Sequence, residues 1–428
     1  MATMCRASVA PLVIVVLVLC TTKISSQQRH IDSDGNLVAV CVIFRHGDRS
    51  PFSAYPKDPY NDPSYWPMGY SQLTNIGKMQ HFHLGQWLRN RYQNFLNKQF
   101  NVSEIRVSST DTDRTLMSAE SNLAGLYPPV NNQVWNPELN WQPIPIHTVP
   151  EKMDYLLAMK KPCDKYKALT IELLNSDEFV KINNQNSDLY SYLSENTGRL
   201  VNDPFSLQNI YNILFIEESN NLTLPNWTKS VYPSKLKPLS DFSFSISTYT
   251  PELIHLKTGP LINEIANHFE NATKNISSTR FRMYSAHDTT VAEVLNSLNI
   301  FQYHSPPYAA TILLELRTKN NNYYLNVFYK NSSDPQKMVL KGCEFDCPLN
   351  KFLEIIEPIR ITPEAWDFAC QSKFLGVLPF NVLQSSVFIV CLSLLFILLS
   401  TFIVSLVCAR RRRRANVDYM RLPDQEHY

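Results

Sequence analysis

The chain is 428 residues long, with 44% hydrophobic and 11% aromatic residues, a composition that fills a large folded core and excludes a disordered protein. Its 40 Lys and Arg against 38 Asp and Glu leave a formal net charge of +2, so no nucleic-acid partner is indicated. Glycine is scarce, at 10 residues, and neither a Walker A pattern nor G-x-G-x-x-G occurs; any phosphate must be held by side chains rather than by a glycine-rich backbone cradle.

Residues 1–26 read as a secretory signal: Arg6 supplies the positive charge, Pro11 to Cys20 a short apolar region, and Thr21, Thr22, Ser25 and Ser26 the polar small residues that follow. Six acceptor sequons, at Asn101, Asn221, Asn226, Asn271, Asn275 and Asn331, agree with secretion and would lie on a lumenal surface. The stretch VAVCVIFRHGDRSP, Val38 to Pro51, is the one around which the rest is organised. Val38 to Phe44 is a continuous apolar run, which predicts a strand buried on both faces of a helix-covered sheet. Arg45, His46, Asp48 and Arg49 then arrive together at its carboxyl end, where α/β sheets bind ligands. Two guanidiniums there fit an anion that accepts bidentate hydrogen bonds, such as phosphate, sulfate or carboxylate.

After Gly69 the spacing predicts an amphipathic helix capped by Thr74, with Ile76, Met79, Leu84, Leu88 and Phe95 on the buried face. His81 and His83 are two apart and do not share a helix face, so both are read as structural rather than metal-ligating. The next strand, Ile105 to Ser109, leads into STDTDRTLMSAESNLAGLYP, whose Leu116, Ala119, Leu123 and Leu126 continue as a helix. Arg114 thus stands at a second strand-to-helix junction as a third arm of the anion clamp, with Asp111 and Asp113 expected to orient the arginines. Residues 151–241 turn to short helical segments rich in Asn, Ser and Tyr and predict a helical cap, in which no residue is assigned a chemical role. A third junction follows at RFRMYSAHDTTVAEVLNSL: a strand over Phe281 to Ser285, His287 and Asp288 in the turn, and a helix from Thr289 to Leu298.

Ala309 to Tyr329 holds two β-rich runs around the Lys319 to Asn322 turn, an expected edge hairpin. Setting aside Cys5 and Cys20 in the signal and Cys391 and Cys408 near the C-terminus, Cys41 reads as a free core thiol, and Cys163, Cys343, Cys347 and Cys370 allow three pairings. Cys343 and Cys347 are close enough for a local bridge, leaving Cys163 to Cys370. Val387 to Ala409 runs without a charge and is long enough to cross a bilayer. Arg410 to Arg414 follow and place the C-terminal side, residues 410–428, in the cytoplasm. There Tyr419 and Leu422 form a Y-x-x-apolar sorting pattern that a clathrin adaptor would read.

The RHGDRSP motif, together with the S-T-D-x-D-R stretch and the H-D pair, resembles the histidine acid phosphatases, branch 2 of the histidine phosphatase superfamily. The resemblance runs from about Leu37 to Cys370. It implies a phosphoglycerate-mutase-like fold, a mixed, mostly parallel sheet with helices on both faces, with an α/β core over about 35–150 and 242–372 and the cap over 151–241 within a lumenal domain of residues 27–380. It implies His46 as nucleophile, Asp288 as proton donor, and Arg45, Arg49, Arg114 and His287 as phosphate ligands. It also implies the Cys343–Cys347 and Cys163–Cys370 pairing and a homodimer.

The expectation is a single-pass acid phosphatase that hydrolyses phosphate monoesters through a phosphohistidine. No metal or other cofactor is expected, because the arginines would do what Mg²⁺ does elsewhere. One span and a short tyrosine-bearing tail resemble the lysosomal members of the family. Lysosomes and endosomes are therefore the expected location, with the plasma membrane, as an ectoenzyme, the alternative.

Overall fold

The computed structural model of the chain describes residues 35–331, 334–376 and 380–419; the signal read over residues 1–26 and Leu422 of the sorting pattern lie outside them. Seven strands are described: β1 (Asn36–Arg45), β2 (Ile105–Ser109), β3 (Phe281–Ala286), β4 (Thr311–Lys319), β5 (Asn322–Lys330), β6 (Gln336–Met338) and β7 (Cys347–Pro348). They form one sheet in the order β2-β3-β1-β4-β5-β6, with β7 paired to β5.

The sheet is mixed, as expected, but its parallel part comprises only β2, β3 and β1. The pairs β1–β4, β4–β5 and β5–β6 are antiparallel, which departs from the mostly parallel sheet read from the sequence. For β4–β5 the cause is local and is the hairpin read from the sequence: Asn320 and Asn321 have φ of 52° and 63°, the left-handed pair that a tight two-residue hairpin turn takes, so the chain folds straight back. Nor does the whole hairpin lie at the edge: β4 pairs with β1 and is buried from Thr311 to Leu316.

β1 is central and buried on both faces. Ala39, Cys41 and Ile43 pack with Leu261, Ile265 and Val291 of the helices Gly259–Thr273 and Asp288–Ser297. Val40, Val42 and Phe44 face the other way, onto Leu84, Leu88 and Leu123 of the helices Asn75–Arg91 and Asp113–Leu126. Side chains alternate along a strand, so an apolar run without interruption is what two covered faces require. Each fully buried aliphatic side chain contributes roughly 1.5–3 kcal/mol of transfer free energy, which anchors the strand that carries the charged loop.

The helix Asn75–Arg91 starts at Thr74 as read, with the Thr74 hydroxyl accepting from the Gly77 N–H at 3.1 Å. Its buried face differs from the expected stripe. Ile76 and Met79 are 60% and 50% exposed, and Phe95 lies beyond the helix end, while Gly77, His81, Leu84, Gly85 and Leu88 face inward. Glycine makes this possible by bringing two helix backbones into contact. A Cβ on Gly85 would stand 1.9 Å from the carbonyl oxygen of Asn122, and one on Gly125 would stand 2.1 Å from that of Phe82.

From Glu151 to Ile246 the regular elements are all helical, including Asp164–Leu174, Asp177–Gln185, Ser187–Thr197, Pro204–Ser219 and Leu236–Ile246. The boundary expected at 241–242 therefore falls inside a helix. This region has its own core, built from Tyr190, Leu193, Leu207, Ile210 and Leu214, into which Tyr55 is inserted from the loop after β1.

Cys343 is bonded to Cys347, Cys163 and Cys370 are each disulfide-bonded, and Cys41 is free and buried. Asn101, Asn221, Asn226 and Asn275 are exposed, and Asn271 and Asn331 partly so. The C-terminal helix Phe380–Tyr419 contains Ser393–Arg411, 19 residues with a mean hydropathy of 2.1 and none of them buried. By length and composition it is suited to cross a membrane. Arg410 to Arg414, which follow the uncharged run Val387 to Ala409, continue this helix.

Candidate active site

Because β1, β2 and β3 are parallel neighbours, with Arg45 opposite Ala286 and Ser109 opposite Ser285, their carboxyl ends share one edge of the sheet. That edge brings together every catalytic and phosphate-binding residue read from the sequence. His46, Arg49, Arg114, His287 and Asp288 line one cavity of about 410 Å³, and Arg45 reaches the Asp288 carboxylate at 3.0 Å.

The loop after β1 is held tightly. A Cβ on Gly47 would stand 2.4 Å from the Gly77 carbonyl oxygen, and one on Gly77 would stand 2.3 Å from that of Asp48; only glycine permits so close an approach. Asp48 is buried and accepts from the Thr74 hydroxyl. Its backbone N–H donates to Gln80 at 2.8 Å. His81, fully buried behind β1, donates from Nε2 to the Arg45 carbonyl at 3.0 Å, so it is structural, as read, and fixes the residue before His46. His83 is exposed.

His46 is 1% exposed. Its Nδ1 lies 2.8 Å from the Gly47 carbonyl oxygen, which can only accept, so Nδ1 carries the hydrogen and Nε2 keeps its lone pair. Burial, followed by Arg45, Arg114 and Arg49, holds this imidazole well below its ordinary titration range. The ring stays neutral and nucleophilic in mild acid. Burial and then the neighbouring Arg49 push Arg114 down to about 10. Arg45, Arg49 and Arg114 each retain a buried Nε without a hydrogen-bond partner. Three guanidiniums converging on so little negative charge form a site poised for an anion.

His287 caps the helix Asp288–Ser297 and approaches His46 edge-on, with ring centroids 5.8 Å apart. Asp288 opens that helix and accepts from the Thr289 N–H at 2.8 Å. Burial pushes the Asp288 carboxyl up, but Arg45, Arg49 and His287 outweigh it and hold it below the usual carboxylate range.

Two expectations fail locally. Asp111 and Asp113 are exposed and make no ion pair with the described arginines; Asp113 instead accepts from Gln72 at 3.0 Å. The helix start turns both carboxylates outward, away from the clamp. The cap, to which no residue was assigned, supplies Lys160 and Arg199 to the cavity wall. Arg199 is the single arginine between residues 151 and 241, a signal that could have found it. It is fastened to the loop after β1 through Ser53 at 3.2 Å and the Ala54 carbonyl at 2.8 Å. Tyr308 was also missed: the Arg45 guanidinium stands 4.2 Å above its ring, a cation–π contact that steadies the clamp. Among the described residues, no group of three or more His, Cys, Asp or Glu could hold a metal ion.

This edge, with its charged loop after β1, matches a family model for the histidine phosphatase superfamily, branch 2, over residues 36–330. The chain belongs to that family. It is 40% identical to prostatic acid phosphatase of Bos taurus over 352 residues, 79% of this chain and 90% of that protein. It is 38% identical to lysosomal acid phosphatase of Rattus norvegicus over 370 residues, 84% of this chain and 85% of that one. Among solved structures, Hafnia alvei phytase shares the fold, with a TM-score of 0.60 and 16% identity over 77% of this chain and 98% of that one.

Proposed function

We propose that the chain is an acid phosphatase that hydrolyses phosphate monoesters through a phosphohistidine on His46. The observation that carries this reading is the His46 ring itself: Nδ1 is committed to the Gly47 carbonyl, and the bare Nε2 belongs to a residue lining a cavity shared with Arg49 and Arg114.

Arg45, Arg49, Arg114 and His287 hold the three non-bridging oxygens and neutralise the charge that spreads over them as the bond to the leaving oxygen stretches. His46 Nε2 attacks phosphorus in line, and a P–N bond replaces the P–O bond. Asp288 gives its proton to the departing oxygen. Water then attacks the phosphoramidate, Asp288 recovers a proton from it, and phosphate leaves. Asp288 enters this cycle ionised against Arg45. An arriving phosphoryl group competes for that guanidinium, weakens its hold on the carboxylate and raises its proton affinity, which favours acidic conditions.

The exposed apolar helix over Ser393–Arg411 and the basic run at its end support a single-pass anchor with the enzyme on the lumenal side. Lysosomes and endosomes are the proposed location, with Tyr419 and Leu422 read by a clathrin adaptor and the domain acting as a homodimer. The decisive experiment for the chemistry is acid quench with phosphorus-labelled substrate, which should trap label on His46, while His46→Ala abolishes turnover without changing the melting temperature. Label on a serine, or full activity in His46→Ala, overturns the mechanism.

A further inference from the structure

The His287 imidazole is tied at both ring nitrogens, and the two ties agree on where its hydrogen sits. Arg114 Nη2 lies 3.4 Å from Nδ1; a guanidinium can only donate, so Nδ1 accepts and is bare. Nε2 lies 3.1 Å from the Thr110 hydroxyl and carries the hydrogen. The far side of Thr110 imposes the same direction. Its oxygen is 2.7 Å from that of Thr115, and the Thr115 hydroxyl is already directed at the carbonyls of Thr112, at 2.7 Å, and Thr110, at 3.0 Å. Carbonyls only accept, so Thr110 donates to Thr115 and accepts from His287. Both threonines are fully buried, and water does not compete for them.

A bare Nδ1 beside an anion site presents a lone pair where a donor is needed. The groups that face His287 are Arg114, Arg49, Lys160, Asp288 and His46. Burial and then Arg114 hold His287 down to about 3, so the empty site keeps Nδ1 bare in mild acid. We propose that Thr110 is a positioning residue that locks His287 as the Nε2–H tautomer, and that Nδ1 takes up one proton from solvent when a phosphoryl group fills the clamp. This rests on the reading of Arg45, Arg49, Arg114 and His287 as that clamp. One N–H bond forms on Nδ1, the Arg114 hydrogen turns from Nδ1 to an anion oxygen, and no bond to phosphorus changes. Anion affinity then rises as pH falls, by up to about tenfold per pH unit for one linked proton.

Sulfate tests this, because it carries no titrating proton of its own in the acidic and neutral range. Calorimetry on full-length Asp288→Asn in detergent, in buffers of different ionisation heat, should count about one proton taken up per sulfate bound, with no Asp288 carboxylate to contribute a second. Nitrogen spectra of labelled histidine should show His287 as Nε2–H when free and as imidazolium with sulfate. Thr110→Val, which cannot accept from Nε2, should bind sulfate about tenfold more weakly and show mixed tautomers, and Thr110→Ser should restore both. Sulfate binding without proton uptake in Asp288→Asn, or unchanged affinity and tautomer in Thr110→Val, overturns the proposal while leaving the clamp intact. Absence of any sulfate binding overturns the clamp itself.

Discussion

The guanidinium of Arg45 and the carboxylate of Asp288 meet at 3.0 Å across the edge of the sheet, both almost buried, so the proposed proton donor is held in its ionised form by a proposed phosphate ligand. If the arriving phosphoryl group frees Asp288 to act as an acid, the benefit depends on how much help the leaving oxygen needs. Asp288→Asn should slow alkyl phosphates about 10³-fold and aryl phosphates only about tenfold, while Arg114→Ala slows both alike. Steady-state rates on matched alkyl and aryl esters decide it, and equal losses in Asp288→Asn would reassign the residue to positioning.

His81 predicts a pH dependence of stability. Burial drives it down to about 4, with the bond to the Arg45 carbonyl opposing, whereas in the unfolded chain it titrates near its ordinary value of about 6.5. The unfolded state therefore binds the proton first as pH falls. The contribution is complete above about 6.5 and is lost as pH drops from there toward 4. His81→Gln keeps a donor for the Arg45 carbonyl but does not titrate, so its stability should fall less steeply across that window, by on the order of 3 kcal/mol. Urea unfolding at a series of pH values measures this, and parallel curves would refute it.

The backbone contacts of Gly85 and Gly77 separate stability from activity. Gly85→Ala gains about 1 kcal/mol of helix propensity but sets a methyl 1.9 Å from the Asn122 carbonyl oxygen and 2.9 Å from the Leu126 nitrogen. A net loss of about 2 kcal/mol or more in urea unfolding is expected, since overpacking against backbone has no rotamer to relieve it. Gly77→Ala pushes on Asp48 instead and should also lower kcat, because Asp48 lies two residues from His46. Unchanged kcat in folded Gly77→Ala would show that the loop absorbs the shift.

The tail and the enzyme should separate cleanly. With the proposed topology, Tyr419→Ala leaves phosphatase activity unchanged and moves the protein from endosomes and lysosomes to the cell surface. Surface biotinylation of wild type and variant should show a several-fold rise in the surface fraction. Equal fractions would favour a resident plasma-membrane enzyme.

The residues legible in the sequence were those whose chemistry and position coincide. Arg45, His46, His287 and Asp288 announce themselves because each follows a strand-forming run directly, and charge at a strand end has few other uses; Arg114, one residue into a helix, is legible only beside them. The helix after Thr74 was legible as an element but not as a surface. Its inward face is made by Gly77 and Gly85, whose contribution is the absence of a side chain, and hydropathy does not register that. Tyr308 and Lys160 reach the site from turns with no periodicity. The reversal from β4 into β5 was legible in the Lys319 to Asn322 turn, but the antiparallel pairing of β4 with β1 was not, because no local signal names a partner so distant in the chain.

The cavity wall has two origins. One side comes from strand ends that also hold up the central sheet, and the other from Gln208, Asn209, Asn212 and Ile213 of the helix Pro204–Ser219, whose packing belongs to a separate core. Mutations on that helix can drift without disturbing the reacting phosphorus, so the same hydrolytic engine is free to be retuned through evolution toward a different departing alcohol. The strand-end side has no such liberty: a change to its charged residues strikes the chemistry itself, and a change to the apolar run behind them strikes the central sheet.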